Sequence, residues 1–396
     1  MKKRGFGVVA LALCGILIVS SNTTKLTVKA AGVAPKITWL SKNYSDIEDF
    51  SDGMAAVELN DDKWGFIDKT GKEVIATKYD YVQSFSEGLA SIQIGRKYGY
   101  IDKAGKEALA LKYDFAGPFS EGLAGIGLEG KRGYIDKTGN VVIAPKYDFL
   151  REFSGGVAVV GNKTYTNIGA GFADVITTYG LIDKEGNEII PIKYEELSSF
   201  TEGLACVKLN GKYGYIDKTG KVVVPLKYRY AESFSEGRAL VAVQPIKGNP
   251  FKLWLYGYID KTGKEVIPLK YGSAKSFSEG LAVIGFANSE GYVPQNGCID
   301  KTGKLVLPIK YDIVNSFSEG LAAIFIEARN KEGYRIQKPC YMDKRGNIAI
   351  PTGEYTWGRT FKDGAAFIEG NTDKENVKRR GIIINPLIKI PTPQKK

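Results

Sequence analysis

The 396-residue sequence contains no histidine, only three methionines and four cysteines, and no apolar run long enough to cross a bilayer comfortably. Without imidazole the chain can build neither a Ser-His-Asp triad, nor a Cys-His pair, nor a histidine-ligated metal site. Four cysteines are too few for a disulfide framework in a chain of this size. What is present is globular in proportion, with 43% hydrophobic and 25% charged residues and 47 glycines against 15 prolines. A formal charge of +11 suggests an acidic partner such as nucleic acid.

The N-terminus removes much of that suggestion. Lys2-Lys3-Arg4 precedes the apolar run Gly5 to Val19, the basic and hydrophobic regions of a secretory signal, with cleavage expected after Ala30 behind the small residues Val28 and Ala30. A lipoprotein reading through Leu11-Ala12-Leu13-Cys14 is weaker, because Leu13 is bulky before the cysteine. Residues 1–30 carry five cations and no acids, so the mature chain falls to +6; Lys389, Lys395 and Lys396 lie in a basic tail (386–396), which leaves the body near +3. Strong phosphate binding needs more than this, so nucleic acid is not expected as a partner. The mature chain is expected to be secreted or held at the cell envelope, without a membrane span. Cys206, Cys298 and Cys340 occupy non-equivalent positions and read as small buried hydrophobes.

Self-comparison is decisive. A phrase of the form Phe-Ser-Glu-Gly-Leu-Ala recurs with its Phe at 50, 85, 119, 153, 200, 234, 277, 317 and 361. A second phrase, Tyr-Gly-Tyr-Ile-Asp-Lys-Thr-Gly-Lys, has its Asp at 68, 102, 136, 183, 217, 260, 300 and 343. The shortest units span 34 residues, the length of a tetratricopeptide unit, but frequent glycine and Val/Ile alternation exclude paired helices. In the fifth unit Ala205, Val207 and Leu209 alternate, Asn210-Gly211 forms a hairpin turn, and Tyr213 to Ile216 returns. Asp217-Lys218-Thr219-Gly220 is a type I turn, and Val222 to Pro225 is a third strand. Such a three-stranded meander cannot bury its own apolar face, so the expected fold is all-β, with the units stacked into an elongated or superhelical array. The alternative is a closed β-propeller, favoured because the chain starts and ends mid-unit, and disfavoured by nine units of three strands. The divisions are a half-unit over 31–49 and nine repeats over 50–385.

From each Asp to the next Phe the spacing is 17 residues, once 18, whereas from Phe to Asp it stretches from 17 to 30, 26, 23 and 26 in four units. All four insertions therefore fall in one hairpin and emerge along one edge.

Lys63-Trp64-Gly65-Phe66-Ile67-Asp68, Lys97 to Asp102 and Lys212 to Asp217, with the trailing phrases Pro145 to Asp148 and Pro308 to Asp312, resemble the bacterial WG (KWG) repeat over roughly residues 44–385. The resemblance implies an exported β-repeat protein that mediates interactions, and no catalytic residues. The last unit departs from it: Arg380-Gly381-Ile382-Ile383-Ile384 lacks the Asp, which suggests a capping unit.

Several motifs dissolve on inspection. Asp-Lys-Thr-Gly, as at Asp68, is the phosphorylated motif of P-type ion pumps, but here it recurs as a turn. Gly125 to Gly130 spells a dinucleotide fingerprint that opens no helix. The aspartate column and the acids Glu87, Glu121, Glu202, Glu236, Glu279, Glu319 and Asp363 could ladder Ca²⁺, but turn capping accounts for them. No cofactor and no metal is expected, and near-identical units give near-identical carboxylate environments, which disfavours an enzyme. The tyrosine pairs Tyr98/Tyr100 and Tyr213/Tyr215 read as inter-repeat packing with hydroxyls at the rim. The binding site is expected on the inserted loops, at Tyr165, Phe172, Phe251, Trp254, Tyr292, Arg329, Tyr334 and Arg335, with a protein or cell-wall glycan as partner. The alternative is a carbohydrate-active enzyme with an acid pair drawn from Glu185, Glu188, Glu290 and Glu327.

Overall fold

The computed structural model describes residues 37–387, apart from 170–171, 244–253, 288–292, 294, 330–334, 354 and 372–377. The expected signal peptide and basic tail lie outside the described residues. Among those described there is no helix, and the strands form nine four-stranded antiparallel sheets arranged as a β-propeller. The elongated array is therefore corrected to a ring, and the propeller alternative holds.

Each blade has one strand more than the sequence pattern showed. In the second blade a two-residue strand, Tyr81–Val82, precedes Leu89–Ile94, Lys97–Asp102 and Glu107–Tyr113. Two residues are too short to display alternation, which is why a meander of three strands was expected. The remaining three follow the sequence reading, including the Asn210-Gly211 turn with φ of 51° and 69°. The aspartates close their turns as expected: Asp217 Oδ1 accepts from Thr219 N at 2.9 Å and Lys221 N at 3.1 Å. The fingerprint-like Gly125 to Gly130 is strand and hairpin turn.

Closure comes from the ends of the chain. Ile37–Trp39 pairs antiparallel with Lys378–Ile384, supplying the outer strand of a ninth blade whose other strands are C-terminal. The ring joins around a mixed core in which Phe50 stacks on Phe367 at 5.0 Å, and Arg380 donates to the Tyr44 carbonyl at 2.6 Å. The atypical last unit is thus the seam of the ring and not a cap. Where it lacks the turn lysine, Asn385 Nδ2 reaches the Glu319 carbonyl at 2.9 Å.

Blades dock through one recurrent contact. The second aromatic of the third strand packs on the Phe of the following blade, as in Tyr100–Phe119 at 4.9 Å, Tyr215–Phe234 at 4.8 Å and Tyr341–Phe361 at 4.9 Å. These tyrosines are buried, and their hydroxyls donate to a carbonyl of the next blade: Tyr100 to Gly117, Tyr134 to Arg151, Tyr215 to Glu232, Tyr258 to Lys275 and Tyr341 to Arg359. Inter-repeat packing with hydroxyls at the rim was expected; the packing holds, but the hydroxyls of Tyr100 and Tyr215 lie in the core, where each takes a carbonyl because an unpaired buried phenol is costly. Alanine recurs at one buried position in every blade, for example Ala55, Ala124, Ala205, Ala239 and Ala322, so neighbouring sheets approach closely.

Where the two turns of each blade meet, a belt runs round one face. Each Ser-Glu-Gly turn has left-handed φ at both central residues, 53° and 89° at Glu202-Gly203, as a two-residue type I′ hairpin requires. The carboxylates do not cap their own turns, as had been expected. They reach the neighbouring blades: Glu202 accepts from Gly237 N at 3.0 Å and pairs with Lys261 at 3.0 Å, and Glu236 accepts from Gly280 N at 2.8 Å and pairs with Lys301 at 2.9 Å. Serine hydroxyls add a second hoop, Ser235 donating to the Phe277 carbonyl and Ser278 to that of Phe317.

Three outcomes are expected. Deleting residues 31–40 should bare the edge of the seam blade, lowering the melting temperature and producing edge-paired oligomers in light scattering. Gly214→Ala would put a Cβ 2.6 Å from the Val224 carbonyl oxygen, so the outer strand must shift, at about 1–3 kcal/mol in denaturant titration. Burial opposes ionisation of Glu87, Glu202 and Glu236, but their lysine and glycine N–H partners outweigh it and hold the carboxyls below the usual 4.5. Because the folded pKa is the lower, the belt's contribution is complete above 4.5 and is lost as pH falls through the depressed values. Thermal melts should be flat from neutrality to about pH 5 and then decline, and Glu202→Gln should lower the plateau and shallow the decline.

Candidate functional site

The short first strands line the axis of the ring. A cavity of about 510 Å³ is bounded by Asp49 of the first blade, Lys275 of the seventh, Asn315 of the eighth and Trp357 and Arg359 of the ninth, a meeting open only to the innermost strands. The last strand of each blade is outermost, with Val74, Val141, Val222 and Leu305 exposed.

The axis is where the repeats differ most. The residue following the two-residue strand, or its equivalent at the longer inner strands of the third and ninth blades, is successively Glu48, Gln83, Gly117, Arg151, Ser198, Glu232, Lys275, Asn315 and Arg359, a column of both charge signs and of neutral residues between two near-constant phrases. At Gly117, Arg151, Glu232, Lys275 and Arg359 its backbone is pinned by the tyrosine hydroxyls described above, so a uniform scaffold presents non-uniform side chains. Arg359 pairs with Asp46 at 3.7 Å and Asp49 at 3.5 Å beside the Trp357 ring, within a cleft of about 240 Å³.

A second column runs beside it. The first residue of the inner strand and the first aromatic position of the third strand alternate at 17-residue spacing: Trp64, Tyr81, Tyr98, Phe115, Arg132, Phe149, then Tyr179, Glu196, Tyr213 and Tyr230. These residues meet both between blades, with Trp64–Tyr81 at 6.2 Å and Tyr213–Tyr230 at 6.4 Å, and within them, with Arg132 over Phe115 at 4.3 Å and Phe149–Tyr179 at 5.1 Å. Apart from Trp64 they are partly or fully exposed, forming an aromatic arc over the first six blades. Self-comparison could have found the arc, since a 17-residue step lands alternately on the two columns.

The arc lies toward the face from which the long hairpins leave, opposite the carboxylate belt. On this side the aspartates of the Lys-Tyr-Asp phrase clamp hairpins: Asp114 accepts from Glu129 N at 2.9 Å and pairs with Lys97 of the preceding blade at 2.6 Å. The hairpin insertions therefore crowd one face of the ring, as expected of one edge of an array.

Of the expected binding residues, the structure joins one to the arc. Trp254 is 38% exposed and meets Tyr230 at 6.5 Å, with Tyr256 on the same ring at 6.0 Å. Tyr165 stands 66% exposed on the hairpin Val157–Gly169/Phe172–Asp183, opposite the exposed Val175. Phe172 sits near that hairpin's tip, and Arg329 is opposite Arg335 on another. Phe251, Tyr292 and Tyr334 lie outside the described residues. Of the acids named for the alternative, Glu185 is in a turn on the belt face and Glu188 opens an outer strand, both away from the inserted hairpins. Glu327 is opposite Gln337, and Glu290 lies outside the described residues. Among the described residues no three or more Cys, Asp or Glu side chains gather to hold a metal, and Cys206, Cys298 and Cys340 are buried, unpaired thiols pushed up to about 12 by desolvation. No helix among them is long and apolar enough to cross a membrane.

Eight stretches, 38–63, 64–98, 98–131, 133–162, 179–213, 213–243, 256–288 and 297–327, match the family described as WG containing repeat. The chain belongs to that family. Each WG unit runs across a blade boundary, from the outer strand of one sheet into the inner strands of the next. This WG repeat protein is similar to solved structures at low identity: the tricorn protease (12% identity, 83% of this chain and 47% of that one, TM-score 0.30) and Kluyveromyces lactis Hsv2 (10%, 76% and 98%, 0.35). Apo AztD from Citrobacter koseri is a third (11%, 77% and 94%, 0.33). No curated protein matches the sequence.

Proposed function

We propose that this WG repeat protein is a secreted or cell-envelope scaffold that acts by binding, without catalytic chemistry of its own, and holds a protein or cell-wall glycan partner on the hairpin face of the ring. The observation that carries the reading is the asymmetry of the two faces. One is closed by a nearly uniform belt of turns; the other gathers the insertions, the aromatic arc and the exposed Tyr165, Val175 and Ile176. The long hairpin of the fourth blade continues beyond Gly161–Tyr179 for six residue pairs in register and a seventh, Gly169–Phe172, after a shift, roughly 20 Å of strand. Apolar side chains on such a projection cost solubility unless a partner covers them.

Replacing residues 162–178 and 245–255 by Asn-Gly turns should abolish capture of the partner from cell-wall and secreted fractions and leave the melting temperature unchanged. Undiminished capture by the trimmed protein would reject the loop-face reading.

A further inference from the structure

A second cavity, of about 520 Å³, opens on the inner side of the fourth to seventh blades. Its walls include the rings of Tyr179 and Tyr213, the carboxylates of Glu196 and Glu232, and the hydroxyls of Ser233 and Ser276. The two carboxylates differ. Glu196 is already engaged, by Lys208 at 2.9 Å and by the Tyr213 hydroxyl at 2.9 Å. Glu232 accepts only neutral hydroxyls, from Tyr230 at 2.6 Å and from Ser276, and among the described residues no cation lies within ion-pair distance of it.

Glu232 is also held in place. Its carbonyl accepts the Tyr215 hydroxyl at 2.7 Å, and its carboxylate is fixed by hydroxyls from two blades. Its charge is felt by the surrounding tyrosines: burial raises the pKa of Tyr230 and Tyr256, and Glu232 raises both further. Arg151, which also lines the cavity, lies over the Phe149 ring at 5.8 Å, and Lys275, in the same column as Glu232, donates to the Val314 carbonyl at 3.1 Å. Glu48 occupies the same column and has the same kind of serine partner, Ser84, but lines none of the cavities described.

A fixed carboxylate without a counter-cation, in a cleft walled by aromatic rings, favours a cation that is weakly hydrated. Ring faces attract such a cation, and the carboxylate supplies the balancing charge. A hydrated metal ion would instead require several more oxygen ligands. Ser233, whose hydroxyl makes no hydrogen bond among the described residues, adds a polar group for a ligand hydroxyl.

We propose that the cavity of the fourth to seventh blades is a binding site for a small organic ammonium, with Glu232 as its counter-ion and Tyr179 and Tyr213 as its walls. The site adjoins the hairpin face, sharing Tyr179 and Tyr213 with its aromatic arc, and does not depend on what the inserted hairpins hold.

The test is calorimetric titration of the full mature chain with choline and with glucosamine, each against its neutral counterpart, 3,3-dimethylbutan-1-ol and glucose. Saturable binding of an ammonium, at least tenfold tighter than the neutral compound, is expected. Choline alone would indicate a quaternary head group, and glucosamine alone a hydroxylated primary amine. Glu232→Gln should weaken binding at least tenfold with an unchanged melting temperature, Tyr213→Phe should retain it, and Glu188→Gln, on an outer strand, should change nothing. Equal binding of the neutral counterparts, an equal response to calcium chloride, or full affinity in Glu232→Gln would each overturn the proposal, as would no saturation by either amine at 50 mM. Binding that survives trimming of residues 162–178 separates this site from the hairpin face.

Discussion

The ring rests on one contact made again at successive blades: an aromatic side chain of a third strand lies against the Phe of the following blade. Where the aromatic is tyrosine, as at Tyr100, Tyr134, Tyr215, Tyr258 and Tyr341, its hydroxyl ends on that blade's backbone. Hydrophobic burial alone would let two sheets slide. The buried phenol must find an acceptor, and the acceptor is one carbonyl at one level of the neighbour, so docking acquires a register. The belt of Glu, Lys and Ser on one face repeats the same relation with exposed groups, whose individual contributions are small. Because each blade is specified relative to the next, the last must meet the first, and the chain ends supply the missing strand.

That contact also explains how a repetitive protein acquires a non-repetitive site. The carbonyl caught by each tyrosine belongs to the residue that faces the axis: Arg151, Glu232, Lys275 or Arg359. The backbone there is fixed by hydrogen bonding while the side chain is free of packing demands, so substitutions cost little stability and change what the channel offers. The seam and the fourth to seventh blades use this freedom differently. At the seam Arg359 is balanced by Asp46 and Asp49; beside Tyr213, Glu232 has only hydroxyl partners among the described residues. The scaffold, not a special local fold, makes such differences tolerable.

Much of this was legible beforehand. The all-β class, the hairpin and type I turns, the aspartate caps, the inert cysteines and the confinement of insertions to one hairpin follow from spacing and residue type, because turn chemistry acts over three or four residues. What was missed had a different origin. The two-residue inner strand has no periodicity to detect, and its hydrogen bonds are made only against a neighbouring strand already in place. The belt glutamates looked like caps because their partners, 34 to 45 residues away for the glycines and 50 to 66 for the lysines and Asn385, are invisible to local reasoning. The aromatic arc was half visible: its 17-residue step is in the sequence, but only the ring reveals that two alternating columns become neighbours.

The repeat itself determined the strands, their turns and the near-equality of the units, since these depend on alternation and on residues that tolerate left-handed backbone. It did not determine whether identical units would run on as a filament or come round to close. That choice depends on the rotation between adjacent blades, a quantity set by how closely the alanine-lined sheets approach and at what level each tyrosine finds its carbonyl. Only the tertiary structure holds that angle, and with it the axis, the channel and the Glu232 carboxylate that faces it.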